Sequence, residues 1–258
     1  MFTERTLSSS LESVRAEYAA GTLVLDCGSD FETLPAAQAE ELSLVTDRLD
    51  PLSHPEAWLP PDAPSVLRRY AGPDLTVGMP GDGSVAWTRQ TEPPVVLCKP
   101  RLEGSPDAFT EFLVAEALVQ VGLDVPEQFL GFFGDQYPAF AAATKPTLSS
   151  VETYQLAAAC YDAYLGLQTR EAFAGWDGDL FEAWLDAGDR IEDRLEALPG
   201  AIARGETSFT DGAELACSAI KHAGEIPRPF DALDAEVYLD HGPDFAVEWA
   251  DRTVDALE

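Results

Sequence analysis

Several ingredients of common active sites are scarce in this sequence. It contains no asparagine, three histidines and four cysteines that stand far apart from one another. The HExxH, GxSxG and CxxC patterns are absent, which argues against common zinc, serine-hydrolase and thioredoxin-like sites. We therefore expect no catalytic residue of a known pattern, no metal site and no cofactor, and the sequence favours a non-enzymatic protein without deciding the question.

Long apolar runs are also missing. No run reaches the roughly 18 residues that a membrane helix needs. The first residues, MFTERTLSSS, include an acid and form no apolar segment of the secretory kind. We expect a soluble cytoplasmic protein that does not act at a membrane.

Lysine is nearly absent, whereas acids are abundant. There are 46 acidic and 16 basic residues, for a formal charge of −30, and the lysines are Lys99, Lys145 and Lys221. In about 1 M salt the Debye length is roughly 3 Å, so a crowded acidic surface hardly repels itself. The composition resembles that of haloarchaeal cytoplasmic proteins and indicates one of their acidic families of unknown function. Because no basic stripe exists, direct nucleic-acid binding is not expected.

The distribution of proline divides the chain. Twelve of the 19 prolines lie between Pro35 and Pro106, where long helices are disfavoured. Helices are predicted before and at the start of this stretch, over 7–20 and from Pro35. Three antiparallel strands are predicted within it: LTVGM and SVAWTRQ, joined by a turn at 80–83, and then PVVLCKPR.

The second half of the sequence is more helical. Ser105 and Pro106 are typical of a helix start, and the helix should continue to about 121. EQFLGFFG and YPAFAAAT are interpreted as two short strands. Ser149 and Glu152 then form a capping-box pattern that opens a helical region, in which one helix should end at Pro199-Gly200. We predict an α+β fold with a small central antiparallel sheet, N-terminal helices and a C-terminal helical bundle. It should divide into regions 1–148 and 149–258 that pack as one unit.

Lys99 suggests the one specific site. It ends the apolar run VVLC, and Glu116 falls on the same helical face as Phe109, Phe112 and Leu113. A carboxylate in such surroundings needs a partner, and Lys99 and Arg101 on the preceding strand are the plausible ones. A structural ion pair explains this pattern without any ligand.

The stretch from Val77 to Phe140 also resembles the amino-terminal lobe of protein-kinase-like folds. In those folds a glycine-rich hairpin covers nucleotide phosphates, and a strand lysine pairs with a helix glutamate. The resemblance implies phosphate binding by Gly81, Gly83 and Lys99, with Glu116 as the helix glutamate. The missing asparagine excludes the magnesium ligand that an active kinase needs.

Three functions remain open. The leading prediction is a non-enzymatic module that binds a protein partner or a small ligand. The alternative is a degenerate kinase-like lobe that binds a nucleotide or a phosphorylated ligand around Lys99. The third is a hydrolase or transferase whose catalytic residues are scattered along the chain and form no recognisable motif.

Overall fold

The computed structural model describes residues 1–78, 83–145 and 147–255, which form two compact units. The first unit consists of Met1–Ser53, Gly72–Asp124 and Gly175–Trp184, and the second of His54–Ala71, Val125–Ala174 and Leu185–Glu258. All the strands of the described residues belong to the first unit. The fold is α+β, as the sequence predicts.

The main sheet of the first unit has four strands. They are β1 (Phe2–Glu4), β2 (Leu23–Cys27), β4 (Val85–Thr88) and β6 (Val95–Cys98), in the order β1-β2-β6-β4. Strands β2 and β6 are parallel, and the two outer pairings are antiparallel. The prediction of a purely antiparallel sheet was therefore wrong. Val95, Val96, Leu97 and Cys98 are all buried, as befits an inner strand.

The predicted hairpin has only its second arm. Leu75–Gly78 carry no strand, and β4 pairs with β6 instead. Residues 80–82 of the predicted turn, and the last residue of LTVGM, lie outside the described residues. Two further short strands, β3 (Arg48–Leu49) and β5 (Thr91–Glu92), form a separate antiparallel pair.

Helices of the first unit pack beside the sheet. Helix α1 (Ser9–Tyr18) begins at the cap residue Ser8, whose side chain accepts a hydrogen bond from the Leu11 N–H. Helix α2 (Ala36–Leu42) follows Pro35, and α4 (Asp107–Gly122) follows Pro106. These starts agree with the predicted positions to within two residues, because proline acts locally. The N-cap of α4 is Pro106, without a side-chain hydrogen bond, so Ser105 is not the N-cap that the sequence suggests.

The regular elements among the described residues of the second unit are all helices. Its helices are α3 (Ser65–Ala71), α5 (Phe129–Phe133), α6 (Tyr137–Thr144), α7 (Ser150–Ala174), the Leu185–Ala203 part of α8 (Gly178–Ala203), α9 (Phe209–Ala219), α10 (Glu236–His241) and α11 (Pro243–Asp255). The two strands predicted at EQFLGFFG and YPAFAAAT were wrong, since these segments form α5 and α6. Short apolar runs do not distinguish a strand from a buried helix, and here Phe129, Leu130, Phe133 and Phe140 are buried in helices.

Two predictions about helix ends have opposite outcomes. The capping box at α7 is confirmed: the Ser149 N–H donates to Glu152 Oε2 at 2.8 Å, and the Glu152 N–H donates to Ser149 Oγ at 3.3 Å. The predicted end at Pro199-Gly200 was wrong, because α8 continues to Ala203. Leu198 is buried, and Ile202 of the next turn packs against Gly212 of α9. This packing offsets the roughly 3 kcal/mol that an interior proline costs a helix.

Within the described part of the chain, none of the helices combines the length and the apolar character that crossing a bilayer requires.

Candidate functional site

Lys99 lies directly after β6 in the core of the first unit. Its side chain is only 1% exposed, and its backbone N–H donates to the Ser84 carbonyl at 2.9 Å. The ammonium nitrogen is 4.7 Å from the centroid of the Phe31 ring, a distance at which a cation and a ring face attract each other. The long alkyl stem of Lys99 therefore fills core space while its charge lies over an aromatic face.

Arg101 lies in the short 3₁₀ helix Pro100–Leu102 that follows Lys99, and it contacts the same loop. Its guanidinium contacts Asp30 at 2.8 Å and Glu32 at 2.9 Å, and it donates to the Phe31 carbonyl at 3.2 Å. These bonds raise the pKa of Arg101, and the Arg101 hydrogen bond lowers the pKa of Asp30. The structure thus brings Lys99 and Arg101 together at the loop Asp30–Glu32.

Glu116 occupies a buried position on α4, as its helical face predicts. Its Oε1 accepts a hydrogen bond from Gln120 Nε2 at 3.3 Å, and Gln120 Oε1 in turn accepts one from Trp87 Nε1 at 2.7 Å. The carboxylate therefore belongs to a short polar chain that joins α4 to strand β4. Its ion pair with Lys99 stays a prediction.

The kinase-like resemblance loses two of its structural requirements. The resemblance requires two strands after the helix that carries Glu116, but these segments form the helices α5 and α6. It also requires a strand before the glycine-rich turn, but Leu75–Gly78 form none. Gly83 is exposed, and a Cβ added there would meet nothing within 4 Å. Gly81 lies outside the described residues. A phosphate site around Lys99 stays a prediction.

Thiols near Lys99 are poor candidates for chemistry. Burial raises the pKa of Cys27 to about 12 and that of Cys98 to about 11. Both thiols are therefore protonated at neutral pH, and a protonated thiol is a weak nucleophile and metal ligand. Across 1–78, 83–145 and 147–255, no three His, Cys, Asp or Glu side chains are grouped as a metal ion requires.

A cavity of about 380 Å³ lies in the second unit. Its wall is formed by residues 57–62, by one face of α6, by two residues that follow α6 and by the start of α7. The lining residues are Ala57, Leu59, Pro60, Pro61, Asp62, Tyr137, Pro138, Ala141, Ala142, Lys145, Leu148, Ser150 and Thr153. Most of the wall is apolar, and a few polar groups converge on it, as is usual for small-molecule sites.

The polar groups of this cavity include one pair of opposite charges. Lys145 Nζ lies 3.5 Å from Asp62 Oδ2, with both side chains more than half exposed. An exposed pair of this kind contributes about 0–1 kcal/mol. A ligand could separate the two charges at little cost.

The start of α7 supplies a second polar feature. The capping box engages the N–H groups of Ser149 and Glu152. The N–H of Ser150, between them, belongs to the first turn, for which a helix has no internal acceptor. Ser150 lines the cavity, so the positive end of a 25-residue helix borders it.

Tyr137 provides a buried hydroxyl at the same cavity. The residue is 1% exposed. Burial raises the pKa of Tyr137, and the neighbouring Tyr154 and Asp62 raise it further. Tyr137 and Asp62 both line the cavity.

Sequence reasoning missed this cavity because it assigned YPAFAAAT to a strand. On a helix, positions 137, 138, 141, 142 and 145 follow the i, i+1, i+4, i+5, i+8 pattern of a single face. Two signals next to the site were visible in the sequence. Lys145 is one of only three lysines in the chain, and the capping box at 149–152 marks the start of α7. The contribution of residues 57–62 depends on long-range packing and has no local signal.

Searches of curated proteins and of solved structures found no match to the chain. A family model described as a family of unknown function, DUF7089, matches residues 1–257. The chain therefore belongs to the DUF7089 family.

Proposed function

We propose that the protein is a non-enzymatic module that binds a small ligand in the cavity of its helical unit. The observation that carries this proposal is the joint position of Tyr137, Lys145, Asp62 and Ser150 around one cavity with otherwise largely apolar walls. Its volume of about 380 Å³ falls in the range of roughly 300–1,000 Å³ that ligand pockets occupy. Apolar walls supply affinity, and the polar groups fix the orientation of the ligand.

Binding without catalysis fits the chemistry of the cavity wall. Its ionisable groups are a surface ion pair and a tyrosine whose raised pKa keeps the hydroxyl protonated at neutral pH. A protonated phenol and a paired lysine are suited to hydrogen bonding and charge recognition. They are less suited to proton abstraction, for which a pKa near the working pH is best.

A fragment screen tests the proposal most simply. Ligand-observed NMR would be recorded for a library of small polar and apolar compounds with the wild type and with Ala142→Trp. Ala142 is exposed and lines the cavity, so an indole there obstructs the cavity without disturbing the core. We expect hits that bind the wild type and are lost in Ala142→Trp.

The matched control is Ala203→Trp. Ala203 is also exposed on a helix of the second unit, and it does not line the cavity. Hits should survive in this variant. Hits that persist equally in both variants would show that the compounds bind elsewhere, and the proposed site would be wrong.

We also propose a setting for this function, the salt-rich interior of a haloarchaeal-type cell. The support is compositional: the formal charge of −30 with three lysines. Such a charge opposes binding to nucleic acids, which requires cationic side chains. The test is the melting temperature as a function of KCl. It should rise steeply toward molar KCl, and a melting temperature independent of KCl would contradict the proposed setting.

A further inference from the structure

We propose that the ligand of this cavity is a small zwitterion of the amino-acid type, with an ammonium, a carboxylate and an apolar side chain. The inference deepens the proposed function and rests on it. It follows from the placement of two opposite charges, one helix start and one buried hydroxyl on a mostly apolar wall.

The charge pair determines the two ionic contacts. Lys145 and Asp62 stand 3.5 Å apart at the cavity, close to the spacing of the ammonium and carboxylate within one amino acid. A zwitterion placed antiparallel to this pair sets its carboxylate against Lys145 and its ammonium against Asp62. The charges of Lys145 and Asp62 then each face an opposite charge of the ligand. An anion alone would face Lys145 only, and a cation alone would face Asp62 only.

The start of α7 strengthens the carboxylate end. The N–H of Ser150 and the positive end of the helix dipole favour a negative group there. Thr153 also lines this end, and its hydroxyl is bonded to Thr144 Oγ1 at 2.9 Å.

The Tyr137 hydroxyl is the observation independent of the helix start. The Tyr137 side chain is 1% exposed and lines the cavity. A phenol O–H donates a hydrogen bond, and a ligand carboxylate at the cavity wall would accept it. Tyr137 therefore adds a hydrogen bond that a ligand without an acceptor would lack.

The remaining wall determines the side chain of the ligand. Leu59, Ala141, Ala142 and Leu148, together with prolines, leave an apolar space. Because an apolar side chain gains from burial while a second charge would be desolvated, an aliphatic amino acid fits best.

Three matched probes test this ligand class: L-leucine, 4-methylpentanoate and 3-methylbutylamine. Leucine carries both charges, and each of the others carries one charge on nearly the same hydrocarbon. Calorimetric titration would be run at the lowest KCl concentration that keeps the protein folded. We expect leucine to bind at least about tenfold more tightly than either single-charge probe, which corresponds to about 1.4 kcal/mol.

Two variants separate the charges. Lys145→Met should weaken leucine and 4-methylpentanoate about tenfold while leaving 3-methylbutylamine unchanged. Asp62→Asn should weaken leucine and 3-methylbutylamine while leaving 4-methylpentanoate unchanged. Arg190→Met, which breaks an exposed ion pair with Asp186 away from the cavity, is the matched control and should change none of the three affinities.

The outcomes distinguish this inference from the proposed function. Equal binding of leucine and 4-methylpentanoate, or an absence of leucine binding, would overturn the zwitterion while fragment hits lost in Ala142→Trp still supported the cavity. Leucine binding that is unaffected by Lys145→Met and Asp62→Asn would overturn the inferred contacts. Fragment hits that persist in Ala142→Trp would instead remove the proposed function itself.

Discussion

Thr144 Oγ1 on α6 and Thr153 Oγ1 on α7 are 2.9 Å apart, and this buried hydrogen bond joins the two helices that border the cavity. Thr144 also contacts the Phe140 and Ala141 carbonyls, each at 3.3 Å. The Thr153 hydroxyl therefore links α7 to α6 through Thr144, whose hydroxyl also contacts carbonyls of its own helix.

Replacing Thr153 by valine should cost about 1 kcal/mol of unfolding free energy, the net worth of a typical buried hydrogen bond. The matched control is Thr169→Val, also buried on α7, whose hydroxyl contacts only the Leu165 and Gly166 carbonyls of its own helix. Its cost should be smaller. Urea unfolding measures the loss of unfolding free energy in both variants. Equal losses would show that the hydrogen bond between the helices contributes no more than one within a single helix.

His54 should make the protein less stable as the solution becomes more acidic. The ring stacks on Trp58 at 5.4 Å, and Nε2 is 3.4 Å from Gln128 Oε1. Burial lowers the pKa of His54, and the Gln128 bond opposes this only in part. The unfolded chain, with a histidine pKa of about 6.5, therefore binds more protons than the folded one near pH 6. Stability contributed by the neutral ring is present at higher pH and is lost as the pH falls through 6.5.

The measurement is the free energy of unfolding in urea as a function of pH, from neutral pH down through the histidine pKa of the unfolded chain. His54→Phe keeps the stacking on Trp58 and cannot be protonated, so its profile should be flatter than that of the wild type. His241→Gln changes an exposed histidine and should keep the wild-type slope. An unchanged slope in His54→Phe would contradict the role of His54.

Replacement by alanine should destabilise the protein at one glycine of the first unit and leave its stability nearly unchanged at another. A Cβ on Gly122 of α4 would lie 2.2 Å from the Tyr18 carbonyl oxygen of α1, whereas a Cβ on Gly83 meets nothing within 4 Å. Gly122→Ala must push the two helices apart and should cost about 1–3 kcal/mol or more. Gly83→Ala should be nearly neutral. Thermal unfolding of the two variants checks this, and similar melting temperatures would contradict the close packing of α1 on α4.

Lys99 is expected to act mainly through its stem. Lys99→Ala empties a buried volume beside Phe31 and should cost about 3 kcal/mol, while Lys99→Met keeps most of that volume and should cost less than about 1.5 kcal/mol. Denaturant unfolding gives both values. Equal losses in the two variants would show that the ammonium group, rather than the stem, stabilises the fold.

The parts of the fold that sequence predicts are those determined by local signals. Pro35, Pro106 and the Ser149–Glu152 box each mark a helix start within a few residues, because caps and fixed backbone angles act locally. The parallel pairing of β2 with β6 joins Leu23 to Val95, and no local pattern specifies such a distant partner. The buried position of Glu116 was predictable from its apolar neighbours on α4. The bonds of Arg101 to Asp30 and Glu32 were not, because that loop comes from a distant part of the chain.

The most direct test of the account is to locate a ligand on the protein. Spectra of the chain with carbon-13-labelled alanine methyl groups would be recorded during a titration with L-leucine. The account predicts saturable shifts at Ala57, Ala141 and Ala142, which line the cavity, and no comparable change at Ala86 or Ala115 in the first unit. Shifts concentrated at Ala86 and Ala115, or no saturable shift at Ala57, Ala141 and Ala142, would contradict it.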